Sequence, residues 1–222
     1  MNRKLLLIND NTFESLLLTN DLDNSRFELM VYEKASDCDV SAIQSFDPDV
    51  VIINLSFNHL EMFSLLKILR SWKSGLGIVM ISDCSDLRLF GLDEADIPVG
   101  ANLILRKSVT HIYVLQQSIF AAMDGAISME KFRWLQGPGS TNQAAWSSKF
   151  SNFSAIQIET LRLVASGMSN HEIADFREVS EKSVEHIIRR IVLLLKLTTP
   201  SNLNVRVRMA QIFYETAGIR RS

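Results

Sequence analysis

Along residues 180–196, Lys182, His186 and Arg189 recur so that, at about 100° per residue, they share one side of a helix, with Glu185 and Arg190 flanking them. Val184, Ile188, Ile191 and Leu195 fall within an arc of roughly 60° on the other side, the stripe that would face a core. Such a helix has the chemistry to enter the major groove of duplex DNA. Arginine can pair with guanine O6 and N7, histidine offers a single bond, and Lys182 and Arg190 are better placed at phosphates. Ser169 and Asn170 open the preceding helical segment, where a helix amino end and short hydroxyl or amide groups can hold a phosphate. Glu185 cuts across this pattern. Its carboxylate repels phosphates yet can accept a bond from cytosine N4, so weaker affinity and altered specificity both stay open. Periodicity taken alone also fits an ordinary solvated helix face.

Other chemistries find less support. His59, His111, His171 and His186 show no metal-ligand spacing, and Cys38 and Cys84 form neither a CxxC nor a Cys/His cluster. A disulfide framework, a metal site and a cofactor are therefore not expected. Nothing in the order of Ser, His and Asp residues indicates a nucleophile elbow, there is no glycine-rich phosphate loop, and no enzyme is indicated.

The polar helix lies in a second half that reads as helices alone: Phe153–Ser166, Ser169–Asp175, Ser180–Lys196 and Asn202–Thr216, broken at Gly167, by a four-residue turn and at Thr198-Thr199-Pro200. Short helix, tight turn and longer helix make a helix-turn-helix. Before it, residues 136–152 are turn formers and small polar residues without period, the expected linker. The first half alternates strands and helices. The β-rich runs fall at 4–8, 28–32, 50–53, 77–81 and 102–105, several of them apolar throughout, as strands buried on both faces should be. Helical segments fall at Thr12–Asp23, Val40–Phe46, Glu61–Lys73, irregularly near Asp86–Ala95, and at Thr110–Lys131. The expected fold is α/β, a doubly wound parallel five-stranded sheet over residues 1–135, followed by a small all-α domain over 153–222.

Length and charge agree with two domains. The 222 residues, 47% hydrophobic and 22% charged, belong to an ordinary globular chain and exclude disordered or collagen-like classes. The net charge of -2 conceals an asymmetry: residues 1–135 carry 12 Lys+Arg against 18 Asp+Glu, and 136–222 carry 11 against 7. The mildly basic second half favours a polyanionic partner. No apolar stretch is long enough to span a membrane, and the amino end runs straight into a strand-like segment without a signal-peptide pattern, so a cytoplasmic location is expected.

The residues Glu159 to Ala174, ETLRLVASGMSNHEIA, and Val179 to Val184, VSEKSV, together with the spacing between them, resemble the signature of LuxR-type helix-turn-helix domains over about Phe153 to Leu197. The whole chain resembles two-component response regulators that join a receiver domain to such a domain. The resemblance implies a DNA-binding transcription regulator, with Lys182, Ser183, Glu185, His186, Arg189, Arg190, Ser169 and Asn170 at the nucleic acid. It also implies dimerisation through the last helix, on Leu203, Val207, Met209, Ile212 and Phe213, although these residues are most simply core.

For the first half, the resemblance implies an acidic pair after the first strand, an aspartate nucleophile ending the third, a Ser or Thr ending the fourth and a Lys ending the fifth. The corresponding residues here are Asn9 and Asp10, Asn54, Ser82 and Lys107. An amide offers neither the charge that holds magnesium nor the oxygen that attacks a phosphoryl donor. Lys107 is then expected to pair with Asp10, and Ser82 to cap the following turn. Ile104 stands where such receivers place a switching Tyr or Phe, and Gly91 and Pro98 interrupt the region of the usual fourth helix.

The expectation is a dimeric bacterial transcription regulator with a phosphorylation-independent receiver-like domain, bound to double-stranded DNA and controlled by a protein partner, a small ligand or its own abundance. The alternative is a protein-interaction module that titrates a related regulator with little DNA binding of its own. Glu185, Leu193 and Leu194 favour that alternative, since the last two stand where basic residues are common in the resembled family.

Overall fold

The computed structural model describes residues 3–23, 27–55, 59–128, 133–135, 150–197 and 204–218. The chain forms two compact units, Met1–Asp83 with Glu94–Asn142, and Cys84–Asp93 with Gln143–Ser222. The ten residues from Cys84 thus group with the helical unit, although they lie within the stretch expected to be the α/β domain.

In the first unit the chain runs β1 (Arg3–Ile8), α1 (Thr12–Asp23), β2 (Phe27–Tyr32), α2 (Val40–Phe46), β3 (Val50–Leu55), α3 (His59–Trp72), β4 (Gly77–Ser82), β5 (Asn102–Leu105), α4 (Ile112–Ser128) and β6 (Arg133–Leu135). The strands pair in parallel in the order β2-β1-β3-β4-β5-β6. The five expected strands are joined by a sixth, β6, whose Arg133 pairs with Asn102. The helix expected at Thr110–Lys131 is described as Ile112–Ser128, and its expected last residues, 129–131, lie outside the described residues. β5 is buried along its length, so its outer row of N–H and C=O groups needs a partner that water cannot supply, and β6 provides it.

Strands buried on both faces explain the continuous apolar runs. Leu5, Leu7, Val50, Ile52, Val79, Ile81 and Ile104 alternate onto one face and share a core cluster with Leu115 and Ile119 of α4. The strand order reverses between β1 and β3, where Ile8 pairs with Ile53. The carboxyl ends of those strands, and with them Asn9 and Asn54, therefore lie side by side at the crevice of the sheet. In place of a full helix between β4 and β5, two 3₁₀ turns form, Leu87–Phe90 and Glu94–Asp96. The first is stopped by Gly91 at φ +76°, a left-handed conformation that glycine adopts without strain.

In the second unit, α5 (Ala155–Ala165), α6 (Asn170–Phe176), α7 (Glu181–Leu194) and α8 (Val205–Ala217) follow the expected segments. Each starts at a side-chain cap: Ser154, Ser169, Ser180 and Asn204. α6 and α7 form the helix-turn-helix. Residues 136–149 of the expected linker lie outside the described residues, but its last part belongs to the core, since Phe150 is fully buried edge-on to Phe153 at 5.1 Å.

Candidate functional site

Two polar regions were expected from the sequence, and the structure treats them differently. At the carboxyl ends of β1 and β3, Asn9 is buried and uses both ends of its amide locally: Oδ1 accepts from the Asn11 N–H at 3.1 Å, and Nδ2 donates to Glu14 at 3.1 Å. Asn54 Nδ2 donates to Asp10 Oδ1 at 2.8 Å. Its Oδ1 accepts from Arg106 Nη2 at 2.6 Å. Arg106 also donates through Nε to Asp83 at 3.0 Å and pairs through Nη1 with Glu14.

Asn9, Asp10 and Asn54 are thus brought together as expected, but around an unexpected cation. Lys107 does not pair with Asp10; it is exposed, and the residue before it turns inward. The 3₁₀ turn at Arg106–Ser108 begins directly after Leu105, so of two adjacent basic residues the first faces the crevice. The dipeptide Arg106-Lys107 was the available signal, and only the turn decides between its members. Ser82 is fully buried at the end of β4, and the turn that follows is capped by Asp86 rather than by Ser82.

These residues do not fit magnesium. Two of the three positions that would supply carboxylates carry amides, whose Nδ2 donors are aimed at Glu14 and Asp10. A guanidinium is bonded to Asn54, Glu14 and Asp83, where a dication would meet a like charge. Among the described residues, no group of three or more His, Cys, Asp or Glu is placed to hold a metal ion. The Cys38 thiol is pushed up to about 11, by burial first and by Asp37 second, which leaves it protonated and unreactive at neutral pH.

In the second unit the arrangement opens outward. Lys182, Ser183, Glu185, His186, Arg189 and Arg190 are all exposed on α7. Val184 and Ile191, fully buried, fix the opposite side of the helix, while Ile188 and Leu195 of the expected stripe are half-buried. Ser183 shares a bond with the capping Ser180 at 2.8 Å. The turn between α6 and α7 is held to α5 by Arg177, which donates to Glu159 at 3.1 Å and to the Thr160 hydroxyl at 3.2 Å. His171 reaches Glu181 at 3.1 Å and Asp175 at 3.4 Å, tying α6 to the first turn of α7.

Two expectations change. Ser169 and Asn170 are engaged within the unit: the Ser169 hydroxyl accepts from the Glu172 N–H in a capping box, and Asn170 Oδ1 accepts from Arg206 Nη1 at 2.6 Å. The Glu172 carboxylate, held below its usual range chiefly by the Ser169 backbone N–H, completes that box. Arg206, which the sequence reading passed over, also donates to the Met168 carbonyl. Of the residues expected to dimerise, Met209, Ile212 and Phe213 are buried in the unit's own core, because α8 packs its apolar side on α5. Val207 is 46% exposed, and Leu203 lies outside the described residues.

Residues 151–210 match the family described as GerE, bacterial regulatory proteins, luxR family. No curated protein matches the chain. Among solved structures, RcsB from Salmonella enterica serovar Typhimurium, bound to promoter rprA with the phosphomimetic BeF3-, is 16% identical. The match covers 96% of this chain and 98% of that one, with a TM-score of 0.55. RcsB bound to promoter P1flhDC is 14% identical over 97% of this chain and 100% of that one, with a TM-score of 0.54. At these identities the likeness is one of fold. The chain thus has the fold seen in RcsB, here a parallel α/β unit followed by a helical unit with a helix-turn-helix, and its residues 151–210 match the luxR family of bacterial regulatory proteins.

Proposed function

We propose that the protein is a bacterial transcription regulator, not an enzyme, that binds double-stranded DNA as a dimer and works without aspartyl phosphorylation. Residues 1–135 act as a receiver-like regulatory domain, 136–152 as a linker and 153–222 as the DNA-binding domain. Lys182 and Arg190 take phosphates, Arg189 and His186 read base edges, and Ser183 and Glu185 adjust the contact. The solved RcsB complexes with promoter DNA support this use of the second domain.

The observation that carries the phosphorylation-independent reading is Arg106 bonded to Asn54, in the crevice where a phosphoryl group and its metal would sit. The nucleophilic oxygen is absent, and the nearest cation belongs to the protein itself. Ile104 is fully buried in the core cluster, without the ring that a phosphate-driven switch would rotate. Control then falls to a protein partner, a small ligand or abundance. Among the described residues no helix is long and apolar enough to cross a membrane, in keeping with action at cytoplasmic DNA.

The test combines mobility shift on genomic and random DNA with mass measurement, with and without acetyl phosphate and magnesium. Retarded complexes and an unchanged mass are expected under both conditions. An alkali-labile phosphoryl adduct, or DNA binding that appears only with the phosphodonor, would overturn the reading. A second reading, a module that titrates a related regulator, is favoured by Leu193, which is 75% exposed near the end of α7. Failure to retard any DNA would select it.

A further inference from the structure

Cys84–Asp93 is encoded between β4 and β5, yet it folds with the luxR-family unit. Asp86 caps the 3₁₀ turn Leu87–Phe90 by accepting from the Arg88 N–H, and Gly91 closes it by donating its N–H to Arg88 O at 2.9 Å. The turn lies against α5 and α8, and Leu87, Leu89 and Phe90 are buried.

Arg88 then joins distant parts of the sequence. It forks onto Asp86, with Nε to Oδ1 at 2.9 Å and Nη2 to Oδ2 at 2.8 Å, and Asp86 is 2% exposed. The same guanidinium donates to the backbone carbonyls of Phe153 and Phe150, both at 2.9 Å, just ahead of α5. Charge-assisted bonds of this kind are among the stronger ones in proteins, and the Asp86 bond holds Arg88 further toward its charged form. A third contact is steric: a Cβ at Gly91 would come within 1.7 Å of Arg162 Nη1, so a side chain of α5 lies directly over the glycine.

We infer that Cys84–Asp93 is a docking strap, a segment of the receiver-like half of the sequence that completes the fold of the DNA-binding domain and couples the two through that domain's stability. It touches α5 and α8 and leaves the polar face of α7 exposed, so it supports the reading helix instead of covering it. Asp83, the residue before the strap, accepts from Arg106 in the crevice of the first unit. A ligand or partner that displaces Arg106 therefore acts one residue from the strap.

The test uses the full chain with a protease site placed in residues 136–149. Cutting there leaves the strap on the amino-terminal piece. The two pieces are expected to co-elute on gel filtration, and Arg88→Ala should weaken their association at least about tenfold. Arg88→Lys keeps the charge and loses the fork; in the uncut chain it should raise amide exchange in α5 and α8 about tenfold while α1 is unchanged. Two results would overturn the inference: pieces that separate with the carboxyl-terminal piece melting as in the uncut protein, or association and exchange that ignore both substitutions. None of these readouts involves DNA, so they fail independently of the proposed function.

Discussion

At the ends of β1 and β3, Asn9, Asn54 and Arg106 direct their donors at Glu14, Asp10, Asp83 and one another, whereas along α7 Lys182, Glu185, His186, Arg189 and Arg190 face outward, with no side-chain partner among the described residues. Both regions are polar, and both were singled out from the sequence. The cluster runs from buried Asn9 through half-buried Asn54, Glu14 and Arg106 to exposed Asp10 and Asp83, and its side chains already bond one another, so a new ligand can enter only by breaking bonds already made. An exposed helix face is satisfied by water and can exchange that water and its counterions for phosphates and base edges. One region holds a shape; the other is available to a partner.

The comparison can be broken most forcefully at the frame behind the open face. Phe213→Ala empties a fully buried position of α8 and should cost about 3–5 kcal/mol of stability, read by denaturant unfolding. Val207→Ala, at an exposed position of the same helix, should leave unfolding nearly unchanged. Equal effects would mean that Phe213 serves a dimer contact and not the core.

Next comes the open face itself. Arg189→Ala should cost about 1–3 kcal/mol at the preferred DNA site and relax base preference there, while Lys182→Ala should weaken all sequences alike and flatten the salt dependence. Titration of labelled duplexes at several salt concentrations separates the two. Unchanged binding in both variants would mean that α7 is not the contact.

The closed region gives a smaller effect. Asn9→Asp with Asn54→Asp restores two carboxylates, but Arg106 still occupies the crevice. Adding Arg106→Ala should tighten magnesium binding at least about tenfold, roughly 1.4 kcal/mol, as measured by calorimetry. Equal affinities of the double and triple variants would show that Arg106 is no barrier.

The smallest effect is at Glu172. Its carboxyl titrates below its usual range when folded, so it binds a proton less readily folded than unfolded. The capping box is therefore at full strength above the ordinary carboxylate pKa and weakens as the pH falls through the lower folded value. Amide exchange at the start of α6 should rise modestly as the pH falls below the ordinary carboxylate range, and Glu172→Gln should remove that dependence.

Much of the fold was legible because its signals are local. β1, β3 and β4 each contain a run of four apolar residues, 5–8, 50–53 and 78–81, and Ser154, Ser169 and Ser180 each stand one residue before a helix, as caps should. β6 was not legible, since three residues carry no period and exist as a strand only because β5 needs a neighbour. The engagement of Asn170 by Arg206 was likewise hidden by a separation of 36 positions in the sequence.

By itself the sequence determined which groups are present: amides at Asn9 and Asn54, which the resemblance to response regulators sets where carboxylates are expected, and a basic face opposite an apolar stripe on one helix, for which a 3.6-residue period suffices. Only the tertiary structure decided which group meets which. It turned Arg106 rather than Lys107 into the crevice, buried Met209, Ile212 and Phe213 in their own domain, and carried Arg88 to the carbonyls of Phe150 and Phe153. Such choices depend on turns a few residues long and on contacts between residues far apart in sequence, where no local period records the partner.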